Sequence, residues 1–125
     1  MYENNLKGLS INHKSKLPLH VHVENLLREL IILPKYKNGA FIAFHGSWNR
    51  APEPQAGYFV VFQPFINGRP AGKWEVFADG FAGTAEQKAS GRAEHRPCGL
   101  AQGPDGSLYV SDDNKGTIYK ITYKK

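Results

Sequence analysis

The sequence predicts a mostly β fold made of about two β-propeller blades, with a short helix near the N-terminus. Short apolar segments separated by turns rich in Gly, Asn, Asp and Pro fill the chain after residue 34, which is typical of strands joined by tight connections. One unit, consisting of a turn, a strand, a loop, a Gly and a second strand, occurs twice: residues 38–45 align with 105–112, and 57–62 align with 116–121. A repeat on this scale indicates propeller blades.

Each copy is expected to contain three strands. They are predicted at 40–44, 58–62 and 73–77 in the first copy and at 99–101, 107–111 and 117–123 in the second. A linker at 79–95, rich in Gly, Ala and charged residues, separates the copies, and the second copy shows no evident outermost strand. Because a propeller needs roughly four to eight blades to close, two blades leave open faces and strand edges.

The segment before residue 35 has a different pattern. Residues 1–20 are polar and irregular, which predicts a loose arm. Apolar residues then recur at three- and four-residue steps from Val21 to Leu33, and Pro34 follows, so an amphipathic helix is predicted there. We therefore divide the chain into an N-terminal arm and helix, residues 1–34, and a two-blade part, residues 35–125.

Composition excludes several classes of protein. A chain of 125 residues is of a size to form one core, and its apolar runs, such as residues 30–33, are too short to span a membrane. A single Cys cannot form an internal disulfide. The net charge of +5 is spread along the chain instead of being clustered, which argues against nucleic-acid binding.

Two segments carry side chains suited to chemistry. The loop between the paired strands is longer in the first copy, and residues 45–56 contain His, Ser, Trp, Asn and Arg, which folding alone explains poorly. The second segment, residues 94–99, contains His95 and Arg96 and ends the long linker. Arg50 and Arg96 could together hold an anionic ligand, or they could be surface arginines that form weak ion pairs.

Three further groups favour ordinary structural roles. Cys98 is expected to be a small buried residue at the start of a strand. His20 and His22 could share a strand face and bind a metal, but no third ligand is evident. Residues 112–116 resemble a calcium loop in composition, yet they lack the downstream Glu and align with a plain hairpin turn.

The strings that carry these features also resemble a known family. They are GAFIAFHGSWNR at 39–50, GY at 57–58, PF at 64–65, RPCGLA at 96–101 and GPDGSLYVSDD at 103–113. Together they resemble the C-terminal end of the glucose/sorbosone dehydrogenases and, within that family, the L-sorbosone dehydrogenases. The resemblance covers roughly residues 34–123, and its most specific part is the His-Gly-Ser-Trp-Asn-Arg string.

The resemblance implies a function. Members of the family are six-bladed propellers that bind calcium and oxidise sugars with pyrroloquinoline quinone (PQQ). By position, Arg96 matches an arginine that contacts the quinone, and His45, Trp48, Asn49 and Arg50 occupy a neighbouring cofactor-facing loop. The family's catalytic histidine and calcium ligands lie in blades that this sequence does not match. Full-length members are expected to be periplasmic or secreted, although residues 1–5 show no secretory signal.

The sequence therefore predicts the C-terminal part of a PQQ-dependent sugar dehydrogenase that is inactive by itself. In the complete enzyme, a hydride would pass from a sugar hydroxyl or a hydrated aldehyde to the quinone. The alternative is a non-catalytic β-repeat module that binds carbohydrate or a protein partner. In either case, open blade faces predict a possible homo-oligomer.

Overall fold

The computed structural model describes residues 9–16, 34–47 and 49–123. These residues form eight strands, one short α-helix and one 3-10 turn at Pro34–Tyr36. The elements are β1 Leu9–Lys16, β2 Gly39–Phe44, β3 Phe59–Ile66, β4 Arg69–Pro70, β5 Glu75–Ala78, α1 Ala85–Ala89, β6 Pro97–Gln102, β7 Leu108–Asp112 and β8 Thr117–Tyr123. The prediction of a mostly β protein is confirmed, while the helix predicted at 21–33 lies outside the described residues.

The strands form two antiparallel sheets. In the first sheet, β3 pairs with β2, with β5 and with the two-residue strand β4. In the second sheet, the strand order is β1-β8-β7-β6. The two copies found in the sequence correspond to the pairs β2–β3 and β7–β8, so each sheet is built around one copy of the repeat. No closed propeller forms within the described part of the chain.

The prediction of a loose N-terminal arm is wrong for residues 9–16. This segment is β1, which pairs antiparallel with β8 in a register that places Ile11 opposite Ile121. It supplies the fourth and outermost strand of the second sheet, for which the second copy of the repeat shows no evident candidate. The physical reason is tertiary: a short polar segment without a clear period becomes a strand because the exposed N–H and C=O groups of β8 offer it partners.

Two other predicted boundaries also change. β3 continues through Pro64 to Ile66, beyond the end predicted at residue 62. The carbonyl of Pro64 accepts the N–H of Ala71 at 2.9 Å, so the residue still contributes a hydrogen bond to the neighbouring chain segment. The linker at 79–95 contains α1, which Thr84 caps through a reciprocal capping box with Gln87.

The two sheets pack against each other through one core. Its buried residues come from both sheets and from the loop after β5, and they are Val60, Phe62, Phe77, Ala78, Phe81, Leu108, Val110 and Ile121. The opposite face of the first sheet stays partly open, because Ile42, Phe44 and Val76 are 41%, 38% and 46% exposed. No helix among the described residues is long and apolar enough to cross a membrane.

Candidate functional site

The loop after β2 places His45 at the end of the first sheet. Gly46 follows with φ 130°, a conformation that favours glycine, and a Cβ at this position would overlap the ring of Tyr58. Ser47 then fixes the loop, because its backbone N–H donates to the carbonyl of Ala56 and its Oγ accepts the N–H of Ala56, both at 2.8 Å. The string His-Gly-Ser is therefore a turn whose geometry holds His45 in one place.

The second segment reaches the same end of the molecule from the loop before β6. The backbone N–H groups of Glu94 and His95 donate to the carbonyls of Ala82 and Phe81, each at 2.9 Å. These bonds anchor the segment just before Arg96. Arg96 thus follows an anchored segment and directly precedes β6.

Asp112, the last residue of β7, ties this segment to the second sheet. It is fully buried, and its Oδ1 accepts the backbone N–H groups of Arg96 at 2.8 Å and Asn114 at 2.9 Å. Its Oδ2 meets His95 Nδ1 at 2.7 Å and accepts the N–H of Lys115 at 3.1 Å. Residues 112–116 therefore form a hairpin turn organised by one carboxylate, as the alignment of the two copies predicted.

Hydrogen bonding decides the charge state of Asp112. Burial by itself raises the pKa of a carboxyl group, but the bonds from Arg96, His95, Asn114 and Lys115 outweigh burial, so the pKa of Asp112 is lowered. Burial also raises the pKa of the nearby Tyr119 to about 12, with the charges of Asp112 and Glu94 adding to this effect. Asp112 is thus a buried anion and Tyr119 a neutral phenol.

The next residue, Asp113, joins the two predicted segments. Its Oδ2 lies 2.9 Å from His45 Nε2, and its Oδ1 accepts a hydrogen bond from Arg96 Nε at 3.0 Å. Because His45 follows a strand of the first sheet and Arg96 precedes a strand of the second, this carboxylate connects the two sheets at one end. We call the three side chains His45, Arg96 and Asp113 the bridged cluster. All three are partly exposed, with 44%, 39% and 35% of their side-chain surface accessible.

The other predicted site residues are not part of this cluster. Asn49 and Arg50 are exposed, and no side-chain hydrogen bond or ion pair among the described residues links either of them to it. Trp48 lies outside the described residues. The expectation that Cys98 is buried is wrong: the residue is exposed, because in β6 it lies between Pro97 and Gly99, which take the buried positions.

Nothing in the described residues forms a metal centre. No group of three or more His, Cys, Asp or Glu side chains in the described ranges could hold a metal ion. The pair His20 and His22 lies outside these ranges. Calcium therefore remains an implication of the resemblance alone.

Asp113 is the one residue of the bridged cluster that sequence reasoning missed as a site residue. The available signal was weak. Asp113 is the last residue of the string at 103–113 that carries the resemblance, and it follows the strand predicted at 107–111. Nothing in the spacing of the chain shows that this aspartate faces a histidine 68 positions earlier.

Comparison with known proteins gives a consistent result. The profile of a family described as TrAA12-like matches residues 10–124. A PQQ-dependent pyranose dehydrogenase of Coprinopsis cinerea is 36% identical over 95 residues, which are 65% of this chain and 13% of that protein. An uncharacterized protein of Borreliella burgdorferi is 32% identical over 91 residues, which are 73% of this chain and 22% of that protein.

Solved structures show similar folds. A calcium structure of Trichoderma reesei Carbohydrate-Active Enzymes Family AA12 matches 70% of this chain and 22% of its own, with 24% identity and a TM-score of 0.58. The holo form of the pyranose dehydrogenase PQQ domain from Coprinopsis cinerea matches 68% of this chain and 24% of its own, with 28% identity and a TM-score of 0.50. The chain thus spans less than a quarter of the length of these proteins.

Proposed function

Because the chain belongs to the TrAA12-like family, we propose that it supplies one wall of the PQQ site of a sugar dehydrogenase. In this proposal, His45 and Arg96 bind carboxylates of the quinone, and Trp48, Asn49 and Arg50 lie on the loop that borders it. The L-sorbosone dehydrogenases remain our proposal for the branch of the family, and the sugar is an aldose or L-sorbosone. The two sheets are the last two blades of the propeller.

The observation that carries this proposal is the convergence of His45 and Arg96 on Asp113. Two segments that the sequence singled out separately, on different sheets, place cation-forming side chains at one end of the molecule. A surface arginine that only forms an ion pair would not require a second residue, His45, to contact the same carboxylate from a loop that Gly46 and Ser47 shape. This convergence supports a shared ligand site at that end.

The donor set suits the quinone. Arg96 uses Nε for Asp113, and no other hydrogen bond or ion pair to its guanidinium is formed within the described part of the chain, so both terminal nitrogens are available to a carboxylate. His45 uses Nε2 for Asp113 and keeps Nδ1 for a ligand. Nδ1 donates to a carboxylate when the ring carries both protons. When bound, the quinone supplies the hydride acceptor for sugar oxidation, and the residues described here bind and orient it.

We assign cofactor binding, and not turnover, to these 125 residues. The chain spans less than a quarter of its relatives, and the family's proton acceptor lies in a part that it does not match. Further blades would also cover the face of the first sheet on which Ile42, Phe44 and Val76 are exposed. A second copy of the chain could provide such cover, which makes the mass in solution worth measuring together with binding.

Titration with PQQ tests the proposal. We expect saturable binding. The absorbance of the quinone, measured in the presence and absence of calcium, reports binding, and light scattering reports the mass of the protein. Arg96→Ala should weaken binding by about 2 kcal/mol, which is about thirtyfold, because a charge-assisted hydrogen bond is lost. Arg92→Ala is the matched control, since Arg92 is an exposed arginine that pairs only loosely with Glu86, at 3.7 Å.

Two results would contradict the proposal. If the unaltered protein does not bind PQQ at any concentration of quinone and calcium, these residues do not form a cofactor wall. If Arg96→Ala and Arg92→Ala bind PQQ equally well, the quinone is bound elsewhere. Binding of a sugar without binding of PQQ would favour the alternative of a carbohydrate-binding module.

A further inference from the structure

We propose that Asp113 is a positioning residue that orients Arg96 and His45 for an anionic ligand. This inference rests on the proposed function, because it names the residue that holds the proposed cofactor wall in its binding geometry. Asp113 itself is not expected to touch the ligand, since two carboxylates repel each other. Its role is to act through the two side chains that it contacts.

Each carboxylate oxygen of Asp113 contacts a different side chain. Oδ1 accepts the hydrogen bond of Arg96 Nε at 3.0 Å, and Oδ2 lies 2.9 Å from His45 Nε2. A carboxylate in this position is therefore shared by two side chains, and neither can turn away without losing its partner. A single ion pair at the surface would restrain only one of them.

For Arg96, the choice of nitrogen matters. The guanidinium is a planar fork, and the two terminal nitrogens form the edge that matches a ligand carboxylate. Asp113 engages the guanidinium from the side, at Nε, and leaves that edge available. A bidentate pair through the terminal nitrogens would have blocked it.

For His45, the contact requires that Nε2 carries a proton. An ionised carboxylate can only accept a hydrogen bond, so Nε2 must be the donor in the contact with Asp113. Nδ1 is then the nitrogen left for a ligand, and it donates to an anion when the ring carries both protons. The other acidic side chains near this end of the molecule have their own partners, since Asp112 binds His95 and Glu94 binds Lys115 at 3.0 Å.

Asp113 is itself placed firmly. It follows Asp112, whose buried carboxylate holds the backbone N–H of Arg96 and the turn at 114–115. The backbone of Arg96 is thus bound to Asp112, the residue before Asp113, close to the contact between the Arg96 and Asp113 side chains. Ordering of this kind before a ligand arrives reduces the entropy that binding has to remove.

Two effects of removing Asp113 have opposite signs, and their sizes differ. Loss of a negative charge would strengthen the attraction of an anion, but the group is partly exposed and its field is screened by water. Loss of positioning would free two side chains that must then be ordered on binding. We therefore expect Asp113→Ala to weaken PQQ binding by about tenfold.

The experiment separates positioning from ligand binding by measuring the free protein first. The ¹⁵N order parameter of the Arg96 Nε–H group reports whether the side chain is held. We expect a value near that of a rigid group, about 0.85, in the unaltered protein and below about 0.6 in Asp113→Ala. Glu94→Gln, which removes another exposed acid that pairs with a cation nearby, is the matched control and should leave the Arg96 value unchanged.

A second variant guards against a loss of folding. Asp113→Asn keeps the shape of the side chain and one acceptor oxygen, so it should fold normally and lie between the unaltered protein and Asp113→Ala in both order parameter and PQQ affinity. An Arg96 order parameter that is equal in the unaltered protein, Asp113→Asn and Asp113→Ala would overturn the inference. If the Arg96 order parameter falls as expected but no form of the protein binds PQQ, the positioning role stands and the proposed function fails.

Discussion

The backbone N–H of Arg96 donates to the buried carboxylate of Asp112 at 2.8 Å, which fixes the segment before β6 to the end of β7. The same carboxylate also serves His95, Asn114 and Lys115. One buried anion thus organises both a hairpin turn and the approach of the loop that carries Arg96. The stability of this end of the molecule should depend on it.

Asp112→Ala should lower the free energy of unfolding by about 3 kcal/mol. The substitution leaves four part-buried donors without their acceptor. An unsatisfied donor costs about 1–3 kcal/mol when it is fully buried and less where water reaches it, so the sum is smaller than four full penalties. Urea denaturation measures the change. Glu53→Ala, at an exposed position, is the control and should change stability by less than about 0.5 kcal/mol. Equal stabilities of the two variants would show that the Asp112 network contributes little.

Acid should weaken the protein partly through the same residue. Because the folded state lowers the pKa of Asp112, its contribution to stability is complete above the ordinary aspartate pKa of about 3.9 and disappears as the pH falls through the lower value of the folded state. Asp112→Asn cannot lose this contribution. Its deficit in unfolding free energy relative to the unaltered protein should therefore stay constant above about pH 5 and shrink as the pH falls below about 4. A deficit that stays constant with pH would exclude this linkage.

The shared core of the two sheets predicts a large difference between two isoleucines. Ile121 is completely buried in β8, whereas Ile42 is 41% exposed on the outer face of β2. Ile121→Ala should destabilise the protein by about 2–5 kcal/mol, while Ile42→Ala should cost much less because its side chain already meets water. Chemical denaturation of both variants checks the prediction. A similar loss at both positions would mean that the outer face is covered in solution, for example by a second copy.

The pairing of β1 with β8 predicts the effect of shortening the chain. Removal of residues 1–16 would leave the edge of β8 without its partner. An unpaired strand edge is a template for association, so the shortened protein should form larger species at a lower concentration than the full chain does. Light scattering across a dilution series measures this. If both proteins keep the same mass, β1 does not protect the edge.

Much of the fold could be predicted from the sequence because it depends on local rules. Turn signals such as Asn38-Gly39 and residues 104–106, next to short apolar segments, predict strands from neighbouring residues alone. The strand at Thr117–Tyr123 was predicted with the boundaries that the structure has. The repeat of the unit also indicated one sheet for each copy, and the comparisons confirm the family at the level of TrAA12-like proteins. The boundary at residue 34 and the roles of the site residues remain predictions.

The sequence by itself determined the β character of the chain, its repeat and the two segments that carry His45 and Arg96, because each of these is written in neighbouring residues. The tertiary structure alone decided that β1 completes the second sheet and that Asp113 joins His45 to Arg96. Both depend on groups that are far apart in the chain, and they become neighbours only when the two sheets pack around their common core. Hydrogen bonds between such groups leave no periodic pattern in a sequence, so only the folded geometry reveals them.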